Sequence, residues 1–376
     1  MICELLKFKD LGEAELARWD ELRDCHDAYR SPFFSPTFTR IVSEVRDNVR
    51  VIVFGEGDDI DMIWPIQVNG RNAEPAGAPF ADYHGPLARA GWSGDLADIL
   101  NRLKLNTIRM TSAYDPNGHV RGFVNSTDIA YITDLRDGAA AFFEYQQNEY
   151  PRHAKKMRRL DRKISREIGD LTFDFDSQNE AFWDQLMNLK RQQYRETGRH
   201  DVLGPEWSRE MMRRLWHSDD PGCKGYMHSL TSNGTFLAAE FNLTCRSTLH
   251  GWIPVYQPEY SSYSPGSVIQ HYIIEEADRR GFHFYDYGTS AGHYKKYYTN
   301  MEIEVVGGTV RSNSVGAKAG AVVESLWHGI ENAGIPKLSG LAGQVRRRYE
   351  IIRTAETSMA GRLRGIASAA TQVSKI

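Results

Sequence analysis

Hydrophobic positions along this chain switch between two periods, and the switches mark out its elements. Residues 14–24 and 36–45 carry helical spacing. Val49-Arg50-Val51-Ile52-Val53-Phe54 then reads as a strand, Gly55-Glu56-Gly57-Asp58-Asp59 as a turn, and Met62-Ile63-Trp64-Pro65-Ile66-Gln67-Val68 as the returning strand. Further strands are expected at 107–111 and 128–132, with a helix between Asp95 and Leu103. Together these make one mixed α/β unit that ends near residue 140.

A cationic helix is predicted next, over 154–168. Met157, Leu160, Ile164 and Ile168 recur at spacings of three and four, which sets them on one narrow stripe, and Gly169 suits the C-terminal cap. The remaining surface holds Lys155, Lys156, Arg158, Arg159, Arg162, Lys163 and Arg166. That is the composition of a solvated face, and it also suits a phosphate, a nucleotide-linked sugar or tRNA. A second helix over 179–196 stops at Gly198. Strands over 225–231 and 235–244 flank Ser232-Asn233-Gly234, where Asn-Gly supplies the positive φ angles of a tight hairpin. A strand at 248–255, a helix over 265–280 and a strand over 282–288 follow. Beyond about residue 315, Gly, Ala and Ser become frequent and helical patches return.

The fold class is α/β with mixed central sheets flanked by helices. A first domain is expected over 1–140 and a second over 141–314, packed face to face, with a basic helical or flexible tail over 315–376. The 41% hydrophobic and 11% aromatic content supplies packed cores, and the net charge of -3 argues against a dedicated nucleic-acid binder. Cys3, Cys25, Cys223 and Cys245 are scattered, with no CxxC pair, so neither a zinc site nor a disulfide framework is expected. The opening segment lacks the basic-then-apolar order of a signal peptide, and no apolar run reaches the ~18 residues of a membrane span. A cytoplasmic location is the expectation.

The segment with most chemical content is Tyr263-Ser264-Pro265-Gly266-Ser267-Val268-Ile269, between a strand and a helix. Ser264 is an N-cap type, Pro265 suits the first helical position, and Gly266 admits a close neighbour. The N–H groups of Gly266, Ser267 and Val268, backed by the helix dipole, form an anion site suited to a pyrophosphate; an ordinary helix start has the same composition. HExxH and GxSxG are absent, and the lysine in Gly288-Thr289-Ser290-Ala291-Gly292-His293-Tyr294-Lys295 is misplaced for a phosphate-binding loop.

In order between about residues 154 and 297 stand KKMRRLDRKISREIG, LAAEFNL, YSSYSPGSVI and FYDYGTSAGHYKK. This set resembles the GNAT superfamily and, within it, the CelD/BcsL-type acetyltransferases of bacterial cellulose and exopolysaccharide synthesis. WDEL, SPFFSP and DYHGPL resemble that family's first domain. The resemblance implies tandem GNAT-like domains and acetyl-CoA or another acyl-CoA as co-substrate, bound at Ser264, Gly266, Ser267 and Val268, with no metal. The usual pyrophosphate pattern is half present: Gly266 fits its last position, while Ser261 and Ser264 stand where Arg or Gln and the first Gly are expected. That departure leaves the donor open, because Fem-type relatives of the same fold use aminoacyl-tRNA.

Acyl transfer needs a base for the attacking group, a donor to the oxyanion and an acid for the leaving thiolate. His250 lies on the strand before the Ser-Pro-Gly helix, and its ordinary pKa of about 6.5 suits a base near neutral pH; a hydrogen-bonded core histidine is the plainer alternative. Asp286 ends a strand among aromatic residues and needs either a raised pKa or a partner. Tyr294 stands where GNAT enzymes place a thiolate-protonating tyrosine, and Glu240 is a further candidate base. Asp82, Tyr83 and His84, Lys190 and Tyr194, and Lys295 are candidates for holding the acceptor, each with a plainer reading as turn, core aromatic or solvated face.

From 315 to 376 there are nine Lys or Arg and four Asp or Glu. The block Arg346-Arg347-Arg348 suits an anionic membrane surface, the protein's own acidic face, a nucleotide-sensing element or a flexible solubilising tail. The function these readings imply is an acyl-CoA-dependent N- or O-acyltransferase acting on a sugar or lipid-linked saccharide. Peripheral contact with the inner membrane or a polysaccharide synthase complex is expected, and no DNA. Its rivals are an aminoacyl-tRNA-dependent transferase and a catalytically silent GNAT-fold effector of exopolysaccharide assembly.

Overall fold

A computed structural model describes residues 2–289, 292, 294–331 and 336–373. The chain runs through β1 (Cys3–Leu6), α1 (Glu13–Asp24), α2 (Pro36–Val45), β2 (Val49–Phe54), β3 (Met62–Asn69), β4 (Asn72–Pro75), β5 (Leu87–Ala88), α3 (Leu96–Arg102), β6 (Thr107–Ala113) and β7 (Val124–Asp134). Helices α4 (Gly138–Glu149) and α5 (Pro151–Glu167) lead to β8 (Leu171–Asp174), α6 (Glu180–Glu196), α7 (Glu206–Trp216), β9 (Lys224–Ser232), β10 (Thr235–Cys245) and β11 (Thr248–Tyr256). Then come α8 (Pro265–Arg279), β12 (Phe284–Asp286), β13 (Met301–Arg311), α9 (Val315–Glu331), α10 (Pro336–Ala355) and α11 (Met359–Val373).

The strands form one mixed sheet in the order β1-β2-β3-β4-β6-β13-β7-β12-β11-β10-β9-β8, with β5 beside β3. Only β4–β6 and β11–β12 are parallel among these strand pairs. The two halves therefore join edge to edge, not face to face as the sequence led us to expect. Asp134 stands opposite Phe284 and Ile132 opposite Asp286 across the seam. The alternation Glu302-Ile303-Glu304-Val305 marks β13, a strand absent from the sequence reading. It lies between β6 and β7 and so returns to the first half of the sheet. Pairing there satisfies backbone groups that would otherwise be left at an open edge.

One core cluster spans both halves, taking Trp19, Phe33 and Tyr83 from the first and Trp183, Phe241 and Trp252 from the second. Local readings hold closely. In α5 the buried residues are Ala154, Met157, Leu160 and Ile164, and its arginines and lysines face outward. Burying each such apolar side chain contributes about 1.5–3 kcal/mol at the larger sizes. The Asn233-Gly234 hairpin has φ of 47° and 75°. Among the described residues no helix is long and apolar enough to cross a membrane.

The tail departs from the flexible reading. Ile352, Thr354 and Ala355 are buried. Trp207 Nε1 donates to the Ala355 carbonyl at 2.9 Å, and Thr354 Oγ1 donates to Glu74 Oε2 at 2.8 Å. Arg109 pairs with Glu350 at 2.5 Å and Arg353 with Glu74 at 3.6 Å. Buried apolar groups and charge pairs thus anchor the end of α10 to the body.

Gly308 sits at a register shift in β13, where an added Cβ would overlap the Phe123 carbonyl oxygen. Gly308→Ala is expected to cost about 1–3 kcal/mol, the range for forced overpacking. Gly320, with open space around it in α9, is the control. Urea unfolding checks both: the midpoint falls for Gly308→Ala and does not fall for Gly320→Ala.

Candidate active site

The site begins where two strands part. β11 and β12 pair only through Thr248–Phe284, Leu249–Tyr285 and His250–Asp286. The chain then turns toward β7: Tyr287 N–H donates to the Tyr131 carbonyl at 2.9 Å, and Tyr131 N–H donates to the Gly288 carbonyl at 3.3 Å. Past His250, β11 keeps β10 on one side, and no strand among the described residues covers the other. Pro254 suits that open stretch because it has no N–H to leave unmet. Its carbonyl accepts from Lys190 Nζ at 3.2 Å.

His250 stands at the point of divergence and is fully buried. Its Nε2–H donates to Asp82 Oδ2 at 2.8 Å, and Nδ1 lies 3.6 Å from Asp286 Oδ1. Asp286 Oδ1 also accepts from the Tyr83 hydroxyl and the Gly288 N–H, each at 2.7 Å. Phe33 packs edge-on to the imidazole with centroids 4.9 Å apart. Burial pushes the His250 pKa down, but Asp286 and Asp82 outweigh it and hold the ring at about 9. Burial likewise pushes the Asp286 carboxyl up, and the nearby imidazole with its hydrogen bonds brings it below the usual range. The two carboxylates thus favour the imidazolium at neutral pH, above the ordinary value of about 6.5 on which the sequence reading of a base relied. Asp82 keeps 37% of its side chain exposed and is the outward face of the set.

The other candidates divide into two groups. Lys190, Tyr194, Glu240, Tyr294 and Asp82 lie within electrostatic reach of one another through shared neighbours. Burial pulls the Lys190 ammonium down to about 8, with Glu240 opposing. Glu240 is buried, and burial raises its pKa; its oxygens accept from Tyr285 OH at 2.6 Å and from Gln270 Nε2. Gly251 leaves room for that carboxylate, since a Cβ would come within 2.8 Å of Oε1. Tyr294 is 39% exposed, and burial of the rest of the ring, with Glu240, keeps its phenol protonated far above neutral pH.

The second group has structural partners. Tyr83 is fully buried and holds Asp286. His84 is buried beside Trp64, accepts from Thr111 N–H at 3.2 Å, and is pushed down to about 3 by burial and Arg109. Lys295 is buried and donates to the carbonyls of Tyr287 and Thr289 at 2.6 and 2.5 Å, clamping the turn after β12. Ser264 has left-handed φ and ψ of 50° and makes no side-chain cap. Its carbonyl instead accepts from Ser267 N–H at 2.9 Å and Val268 N–H at 3.1 Å. Two of the three amides expected to be free are therefore engaged; Gly266 keeps ordinary contact distance, its added Cβ meeting Tyr256 at 3.4 Å. Sequence reasoning missed Gln270 and Tyr285, which both donate to the Glu240 carboxylate, and Phe33, which packs on the imidazole.

A family model for the acetyltransferase (GNAT) domain matches residues 151–296. The chain carries a GNAT acetyltransferase domain. It is a transferase, and the parallel β11–β12 pair, the open β11 edge and α8 all fall inside that domain. No curated protein sequence matches the chain. Among solved structures, FemX superposes with a TM-score of 0.54 at 10% identity, covering 82% of this chain and 96% of that one. A tandem GNAT protein from the clavulanic acid biosynthesis pathway gives 0.48 at 10% identity, covering 83% and 99%. L-PGS from Bacillus licheniformis gives 0.45 at 11%, covering 77% and 96%. The FemX superposition covers both halves of the sheet, so that structure shares the overall fold of this chain.

Because His250 binds its proton more tightly folded than unfolded, its contribution to stability is complete below about pH 6.5 and is lost as pH rises through about 9. Unfolding free energy should fall across that window by at most about 1.4 kcal/mol per pH unit. Asp286→Asn should lower stability and flatten this decline. Denaturant titrations from pH 6 to 10 on both proteins check it.

Proposed function

We propose that the chain is a cytoplasmic acyl-CoA-dependent N- or O-acyltransferase acting on a sugar or sugar-linked acceptor in bacterial polysaccharide biosynthesis. The observation that supports it most is the Asp82–His250–Asp286 set at the place where β11 loses its strand partner. Two GNAT-like units, 1–140 and 141–314, contribute to this set, with the end of α10 in the tail docked beside them. The donor's amide-bearing arm suits the unpaired β11 edge, where backbone groups have no other strand to bond. Its pyrophosphate suits the start of α8 at Gly266, within the segment from Ser264 to Val268. Asp82, Lys190 and Tyr194 offer charged and hydroxyl groups that suit a polyhydroxylated acceptor.

In this reading the acceptor oxygen or nitrogen attacks the thioester carbonyl. Its proton passes by way of the exposed Asp82 carboxylate to neutral His250, while Asp286 keeps the ring oriented. The C–S bond then breaks, the acyl–acceptor bond remains, and Tyr294 gives its proton to the departing thiolate. A phenol held protonated suits that acid role.

The pH dependence tests the scheme directly. His250 becomes a free base only as pH approaches about 9. With acetyl-CoA and an active acceptor, kcat/KM should therefore rise by about tenfold per pH unit up to that point and then level off. His250→Gln should lower kcat by roughly 10²–10⁴ and remove the rise while leaving donor affinity intact. Thermal shifts identify the donor: saturation at 100 times Kd adds ~2.7 kcal/mol. A shift with aminoacyl-tRNA alone would replace the donor, and no shift with any donor would favour a silent effector.

A further inference from the structure

Beside the C-terminal end of α6 lies a cleft of about 720 Å³, closed on its far side by α10, α11 and the loop between them. Its chemistry follows from local sequence. Gly198, at φ 67°, ends α6 with Gly198 N–H bonded to the Arg195 carbonyl and Arg199 N–H bonded to the Tyr194 carbonyl at 2.8 Å. This doubled cap turns the chain sharply and brings Arg199 to the cleft together with Arg195. From the other wall come Arg348, which also donates to the Gly198 carbonyl, and Arg364. Gly365 lets α11 approach, since a Cβ there would lie 2.8 Å from Ile352 Cγ2 and 3.2 Å from His200 Cε1. The docked tail is therefore what completes the cleft.

Two of the three acids in the wall are spoken for, and the third, Glu206, is exposed. Asp201 is held by Arg191 Nε at 2.9 Å, with Arg195 at 3.8 Å, and Glu356 faces His200 Nε2 at 3.2 Å. Among the described residues, Arg199 and Arg364 have neither a hydrogen bond nor an ion pair for their guanidinium groups. Two such forks in one concave space match the geometry of phosphate oxygens. The cleft also adjoins the candidate active site along one helix. From Lys190, an α6 residue whose Nζ reaches the open β11 edge at Pro254, to the end of α6 is about 9 Å at 1.5 Å per residue. Arg199 is close enough to help lower the Lys190 pKa.

We propose that this cleft binds the phosphate or diphosphate ester of the acyl acceptor, so that Arg199 and Arg364 hold the anion while its sugar reaches the open edge of β11. The inference rests on the acyltransferase reading above and supplies the class of its acceptor. The basic tail then takes part in binding, because the substrate anion is gripped from both α6 and α11.

Calorimetric titration of the full chain with inorganic pyrophosphate tests it, with acetyl-CoA titrated in parallel. Arg199→Gln and Arg364→Gln should each weaken pyrophosphate about tenfold, as expected for loss of a charge-assisted contact, with acetyl-CoA affinity and circular dichroism unchanged. Uridine diphosphate glucose and farnesyl diphosphate then separate a soluble ester from a lipid-linked one by which competes better. Unchanged pyrophosphate affinity in the double variant would overturn the proposal. So would displacement of pyrophosphate by acetyl-CoA with both affinities falling in the variants, since the cleft would then hold the donor's phosphates. If acetyl-CoA does not bind at all while the arginines still capture pyrophosphate, the donor reading fails and the anion site stands.

Discussion

A charged imidazole buried between two carboxylates is the interaction on which the rest of this molecule turns. Burying an imidazolium is expensive unless both ring nitrogens are paired, and removing either partner would leave a charge stranded. Asp82 comes from the first half, and His250 and Asp286 from the second. The set therefore ties the seam of the sheet and the candidate chemistry to one geometry. Asp286 must sit opposite Ile132 on β7 and beside His250 on β11 at once. That double pairing ends β12 after three residues and leaves the remainder of β11 open.

Much of this architecture is legible because it depends on near neighbours. The stripe of α5, the Asn233-Gly234 turn and the helix starting at Pro265 are set by local periodicity and local backbone preference. The seam is not legible in the same way. Asp82 and His250 are 168 residues apart in sequence, and neither carries a local mark of the other. β13 illustrates an intermediate case: its alternation is present in the sequence, but nothing local says that it pairs between β6 and β7. The continuous sheet follows from that return.

The same distinction explains the surroundings of several candidate residues. Tyr83, His84 and Lys295 are polar residues near the site in sequence, and each is buried with a structural partner. Lys295 illustrates the physics best: an ammonium beside three consecutive carbonyls is better satisfied there than in an open cleft. Ser264 fails as a side-chain cap because its left-handed backbone directs its own carbonyl to the first amides of α8. The tail, for which composition left both a solubilising segment and docking on the protein's own acidic face open, docks because Ile352 and Ala355 bury while Arg109 and Arg353 find Glu350 and Glu74. Docking converts basic composition into a wall of a cleft beside α6.

The central claim is that His250 is held as an imidazolium by carboxylates from both halves of the chain. Nitrogen-resolved NMR of the His250 ring across pH measures this directly, without substrate. The account predicts that both ring nitrogens carry protons at pH 7 and that the ring titrates near 9. A ring that is neutral at pH 7 with a midpoint at or below its ordinary value of about 6.5 would contradict it.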